Sequence, residues 1–159
     1  MKFSLITVTM GDRPQLIARL KASLDAQTYR DFEWIVVNNE EHPEFKGGLS
    51  RARNFGIERA TGDVLGFLDD DAWYGPDLLE SVSVMLADPE NDGVSFRVVD
   101  EHGNCSAGGW MPAGKTSVSK GCCTAMGMGW FYGGIIIHSP DCSGLLGCRR
   151  QERCNRLRN

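Results

Sequence analysis

Apolar and polar positions alternate in an orderly way along the first hundred residues. Phe3–Thr9 is a short run rich in β-branched residues and predicts a buried strand. Leu16, Ile17, Leu20 and Leu24 then recur at helical spacing, with Asp12 placed to cap that helix and Pro14 suited to its first turn. Phe32–Val37 predicts a second strand that ends in Asn38 and Asn39. A charged, glycine-containing loop from Glu40 to Gly48 leads to Ser50, the expected cap of a helix through Ala60. Ala52, Phe55 and Ala60 line its buried side, and Gly62 is placed to end it.

A third strand begins at Val64, and a turn follows at Tyr74-Gly75-Pro76. Leu78, Leu79, Val82, Met85 and Leu86 form the apolar stripe of a further helix, which reads as core packing. Gly93–Val99 predicts another strand, and residues 100–104 a hairpin-like turn. Strand and helix in alternation predict an α/β fold, with a mostly parallel sheet, right-handed crossovers and flanking helices. Beyond residue 104 the patterning fades. Ser106–Gly121 is rich in glycine, serine and lysine, only Trp130–Ile137 reads as a strand, and no element is assigned past Pro140. The expected organisation is therefore an ordered unit over 1–104 and a divergent or truncated segment over 105–159, with the fold incomplete at the C-terminus.

The stretch Val64-Leu65-Gly66-Phe67-Leu68-Asp69-Asp70-Asp71 carries the chemistry. Three carboxylates stand where a buried strand should end, and like charges so close require a cationic or hydrogen-bonding answer. Open α/β sheets bind ligands at the carboxyl ends of their strands, where this cluster would lie. A divalent metal carrying an anionic ligand is one economical answer. A calcium loop counted from Asp69 fails, because its sixth position is Tyr74 rather than glycine. A phosphatase of the haloacid-dehalogenase type is disfavoured by Trp73, which stands where that class has a small residue.

Composition narrows the classes further. The chain has 159 residues, 42% of them hydrophobic and 24% charged, as suits one globular domain. Its net charge of −4 is uneven: five arginines against Glu152 give residues 142–159 a charge of +4, leaving −8 on residues 1–141. An acidic body argues against nucleic-acid binding. No apolar run reaches the ~20 residues of a membrane span, and the N-terminus does not read as a signal peptide. The expected location is cytoplasmic, with peripheral contact at a membrane face open to it. Six cysteines, all from Cys105 onward, contain no C-x-x-C pair and are expected to be reduced thiols.

Five blocks, in order, give the chain a family resemblance. They are Ser4–Thr9 with Arg13-Pro14; Ser23-Leu24 before Gln27-Thr28-Tyr29; Phe32–Asn39; Gly48–Gly56; and Ala60-Thr61-Gly62-Asp63 leading into Phe67–Asp71. Together they resemble family 2 glycosyltransferases of the GT-A (Rossmann-like) fold over about residues 3–100. The resemblance implies a metal-dependent, inverting transfer of sugar from a UDP- or dTDP-sugar to a glycan, lipid or small-molecule acceptor, with Mn²⁺ or Mg²⁺ as cofactor. It implies Asp71, with Asp69, as metal ligands, and Asp69 and Asp70 as contacts to ribose, sugar or metal-bound water. Thr9 and Asn38 or Asn39 would line the nucleobase pocket. Of Arg51 and Arg53, two residues apart on a helix, Arg53 is the one expected to face the donor. Trp73 would shape the sugar site or simply pack, and Asn54 would hold local backbone. The family's general base is not identifiable, since only Asp141 and Glu152 are acidic beyond Glu101. The alternative is a non-catalytic remnant that binds nucleotide sugar.

Overall fold

The computed structural model describes residues 1–45, 48–89 and 91–95, together with the strand segments 117–119 and 135–138. Strand β1 (Phe3–Thr9) leads through helix α1 (Pro14–Asp25) to β2 (Phe32–Asn38). A short 3-10 turn (Pro43–Phe45) precedes α2 (Leu49–Arg59), β3 (Val64–Asp69) and α3 (Leu78–Leu86). The strands β4 (Asn91–Ser95), β5 (Ser117–Ser119) and β6 (Ile135–His138) complete a six-stranded sheet of order β2-β1-β3-β6-β4-β5. β1 pairs in parallel with both β2 and β3, while β6 runs antiparallel to β3 and β4, and β5 antiparallel to β4.

The alternation within β1 decides what covers each face. Phe3 and Leu5 join Leu20 and Leu24 of α1, Leu79, Val82 and Leu86 of α3, and Val64 and Leu68 of β3 in one buried cluster. Ile6 points the other way and packs with Leu65 of β3 and with Ile57 and Ala60 at the end of α2. Helices thus flank the sheet on both faces, and β1, covered on both, is apolar nearly throughout. Gly56 of α2 is fixed by this packing: a Cβ there would come within 2.5 Å of Ile6 Cγ2.

The helix stripes and the first three strands match the sequence expectation, whereas the helix ends do not. Arg13 and Gly48, rather than Asp12 and Ser50, occupy the N-cap positions of α1 and α2, and neither makes a side-chain cap. Ser50 lies inside the first turn of α2. Phe55 is only half-buried, packed against Phe45 and His42 with ring centroids 5.0 and 4.5 Å away. β4 begins two residues before Gly93, and β5 falls in a segment for which no strand was expected. The expected turn at 100–104, the start of the Trp130 strand, the cysteines and the basic tail lie outside the described residues.

At the amino ends of the parallel strands, a polar lock closes the sheet. Glu33 accepts hydrogen bonds from Ser4 Oγ (2.5 Å), the Thr61 amide (2.7 Å), Thr61 Oγ1 (2.9 Å) and Lys2 Nζ (3.3 Å). The Gly62 amide donates to Ser4 Oγ, and the Lys2 amide to Asp63 Oδ2, each at 2.8 Å. Gly62 is required here by close approach rather than to end α2, since a Cβ would lie 2.6 Å from the Lys2 carbonyl oxygen. Burial alone would raise the Glu33 pKa, but the bonds from Ser4, Thr61 and Lys2 outweigh it and hold the carboxyl at about 2. The folded value lies below the ordinary 4.5, so this stabilisation is complete above that pH and is lost as pH falls towards 2. Glu33→Gln is expected to be less stable than the parent at neutral pH, and its urea midpoint should fall less steeply on acidification. Parallel midpoint curves for the two proteins would contradict the assignment.

Candidate functional site at the carboxyl ends of the parallel strands

The parallel registers bring three strand ends together. Thr9 pairs with Asn38, and Val8 with Asp69, so Thr9, Asn38, Asn39 and the acidic turn share one end of the sheet. β1 lies between β2, reached through α1, and β3, reached from β2 through α2 on the other face, which is the topology whose carboxyl-end crevice binds ligands in open α/β sheets.

Alternation along β3 distributes the three carboxylates. Asp69 continues the α2 face occupied by Leu65 and Phe67, and its Oδ1 lies 3.8 Å from Arg53 Nη2. Asp70 turns towards the start of α1, where Arg13 Nη2 donates to its two oxygens at 3.1 and 3.4 Å. Asp71 is the most exposed of the three, at 61%, and its Oδ2 is 4.0 Å from Arg13 Nη1. The acidic repulsion is therefore answered by two arginines from two helices. Arg53 thus stands on the Asp69 side of the turn, and Arg51 is exposed.

Arg13 is the site residue that sequence reasoning missed. Its signal in the sequence is a cation four residues beyond the end of β1, on the side of the sheet to which Asp70 turns.

On the β2 side, the Asn39 amide donates to the Thr9 carbonyl at 2.9 Å and its Nδ2 to Met10 Sδ at 3.4 Å. The residue is 9% exposed, and its buried Oδ1 has no hydrogen-bond partner among the described residues. An unmatched buried acceptor is costly and is satisfied by any donor that enters beside it. Asn38 is differently engaged, its Oδ1 accepting from the Glu40 amide at 3.0 Å and its Nδ2 reaching Glu41. Thr9 Oγ1 accepts from the Gly11 amide at 3.2 Å. Gly11 has φ +83°, and a Cβ there would meet Asn38 Oδ1 and the Glu40 carboxylate, so this tight turn suits glycine.

The loop after the acids is tied down from beneath. Gln27, wholly buried at the end of α1, donates from Nε2 to the carbonyls of Gly75 (2.7 Å) and Ser23 (3.1 Å). Its Oε1 accepts from the Leu79 amide at 3.1 Å, a remote side chain serving α3 where Asp77 makes no cap. The Thr28 amide donates to the Pro76 carbonyl at 2.7 Å. Largely buried Tyr74 has its pKa pushed up by burial and by the charges of Asp69 and Asp71, so its hydroxyl keeps its proton. Trp73 is stacked on Arg19, whose guanidinium carbon is 3.2 Å from the ring centroid. Asn54 does not hold backbone through its Oδ1, which is buried without a partner among the described residues.

No three His, Cys, Asp or Glu side chains converge as a metal cage among the described residues. With Asp70 engaged by Arg13, the carboxylates of Asp69 and Asp71 suit a hard cation that draws its other ligands from phosphate and water. No helix among the described residues is long and apolar enough to cross a membrane.

Comparison with known proteins agrees with this fold. The glucosyl-dolichyl phosphate glucuronosyltransferase of Haloferax volcanii is 29% identical over 103 residues, covering 52% of this chain and 33% of the relative. The crystal structure of S. aureus TarS 1-349 superposes with a TM-score of 0.57 at 21% identity, over 67% of this chain and 38% of that one. The mannosyltransferase PcManGT of Pyrobaculum calidifontis, solved in complex with GDP-Man and Mn²⁺, superposes with a TM-score of 0.54 at 25% identity, over 62% of this chain and 36% of that one. The chain thus spans about a third of the length of these proteins. The sequence model for glycosyl transferase family 2 matches residues 41–145, reaching from the loop after β2 past β6. With its GT-A sheet and this match over more than half its length, the chain belongs to glycosyl transferase family 2.

Proposed function

We propose that the carboxyl end of the parallel strands binds a nucleoside-diphosphate sugar together with Mn²⁺ or Mg²⁺, for transfer of the sugar to a glycan, lipid or small-molecule acceptor with inversion. The observation that carries this reading is the placement at one sheet end of an acidic turn and an unmatched buried acceptor, Asn39 Oδ1. Asn39 Oδ1 would accept from the imide N–H of uracil or thymine, which favours a UDP- or dTDP-sugar. Thr9 and Asn38 would bound the base pocket beside it. Asp71 and Asp69 would hold the cation, with Asp69 and Asp70 bounding the ribose and sugar side. When bound, the metal supplies charge stabilisation to the departing diphosphate. Arg53, on the same side as Asp69, adds a guanidinium suited to phosphate oxygens. PcManGT, solved with GDP-Man and Mn²⁺, supports the ligand class and the cation. The region over 1–104 would then be the donor-binding part and 105–159 the acceptor side.

Thermal denaturation tests this reading. UDP with Mn²⁺ at 100 times the dissociation constant should stabilise the fold by about 2.7 kcal/mol. No change in Tm with any nucleoside diphosphate, with or without metal, would refute the proposal. Metal-dependent release of free sugar from the donor would support chemistry in this chain; binding without release would assign it to donor binding alone.

A further inference from the structure

Three carboxylates surround one guanidinium at the end of the sheet. Arg13 Nη2 lies 3.1 and 3.4 Å from the oxygens of Asp70, Nε lies 3.7 Å from Asp12 Oδ1, and Nη1 lies 4.0 Å from Asp71 Oδ2. Only Asp70 is within hydrogen-bonding range. Its side chain is 11% exposed, against 65% for Asp12 and 61% for Asp71. A carboxylate so withdrawn from water needs a matching charge, and Arg13 provides it.

We propose that Arg13 is a positioning residue that withholds Asp70 from cations, so that the acidic turn gathers a divalent metal only together with the diphosphate of the donor. The inference rests on the donor-site reading above. Three adjacent carboxylates without a cation among them would attract Mn²⁺ on their own. Matching Asp70 with Arg13 lowers the local negative charge and removes two oxygens from the set a metal can reach. The diphosphate then brings the missing oxygens and charge, so metal and nucleotide each raise the affinity for the other by the same factor. A protein built this way discriminates against free metal and against metal-free nucleotide.

Mn²⁺ titration, followed by loss of the electron paramagnetic resonance signal of the free ion, tests the inference on the whole chain with and without UDP. The wild type should take up Mn²⁺ weakly alone and about tenfold more tightly with UDP. R13Q should bind Mn²⁺ alone about tenfold more tightly than wild type, with its enhancement by UDP reduced. R13K should stay near wild type, and R13Q/D70N, with both charges gone, should return towards it. Should R13Q fail to fold, D70N against R13Q/D70N reads the same charge: D70N, with Arg13 unmatched, should bind Mn²⁺ about tenfold more weakly. Equal Mn²⁺ affinity within these pairs, or weaker Mn²⁺ binding by R13Q, would overturn the inference. If UDP changes nothing in any variant while R13Q still gains affinity for Mn²⁺ alone, the donor-site reading and the coupling fall and the withholding of Asp70 stands.

Discussion

Asp71→Asn is expected to remove the whole Mn²⁺-dependent part of the stabilisation by UDP. Asp71 is the most exposed of the three acids and only loosely approached by Arg13, so it is the carboxylate most available to a hard cation. The amide keeps the size of the side chain but loses the charge, and magnesium and manganese prefer carboxylate oxygens. Because the side chain faces solvent, the variant should fold with nearly the parent Tm in the absence of ligand. The UDP-dependent shift without metal should persist through Asn39 and the base pocket. At ligand concentrations where the parent gains about 2.7 kcal/mol from UDP and Mn²⁺ together, the variant should gain only what UDP alone supplies. An unchanged metal response would remove Asp71 from the site.

The largest effect on folding is expected from Gln27→Leu. Leucine has nearly the same bulk, so the change reports the polar contacts more than a cavity. It would strand the buried Leu79 amide, at about 1–3 kcal/mol, while the Gly75 carbonyl, on an exposed residue, would lose its partner to solvent. A loss of about 1–3 kcal/mol is a sizeable share of the ~5–15 kcal/mol that holds a typical domain together. Urea denaturation measures it directly. Gln27 also anchors the segment between the acidic turn and α3, so UDP–Mn²⁺ affinity should fall as well under conditions where the variant remains folded. Stability within 0.5 kcal/mol of the parent, roughly the range of an ordinary surface change, would contradict this role.

The parts of the fold legible in the sequence were those governed by period. β1, β2 and β3 and the stripes of α1 and α3 follow from apolar spacing, because each face meets one layer of core. Helix ends were less legible, since they depend on partners far along the chain. α3 is served by Gln27, fifty-two residues away, and neither Asp12 nor Ser50 makes the cap its position suggested. β5 is a three-residue strand without a period of its own, formed by pairing with β4.

The candidate site divides in the same way. Asp69, Asp70 and Asp71 announced themselves as like charges at a strand end, and parallel pairing brought Thr9, Asn38 and Asn39 beside them. The pairing of Asp70 with Arg13 depends on which way each acid turns at the end of β3. That direction follows from the alternation of Leu65, Phe67 and Asp69 against Leu68 and Asp70, and it becomes informative once α1 and α2 are known to lie on opposite faces. Some residues of the family blocks serve the fold instead. Thr61, Gly62 and Asp63 close the far end of the sheet around Glu33 and Lys2, and Gln27 and Thr28 hold a loop.

The carboxyl end of the parallel strands, and not the amino end closed by Glu33, is the end that should meet the ligand. Amide NMR spectra of the isotope-labelled protein with UDP and substoichiometric Mn²⁺ read this directly, because the paramagnetic ion broadens nearby signals. Broadening should centre on the amides of Asp69–Ala72, extend to Thr9–Gly11 and Asn39, and spare Glu33, Thr61 and Asp63. Broadening centred on those last three residues, or none beyond that caused by Mn²⁺ without UDP, would contradict the account.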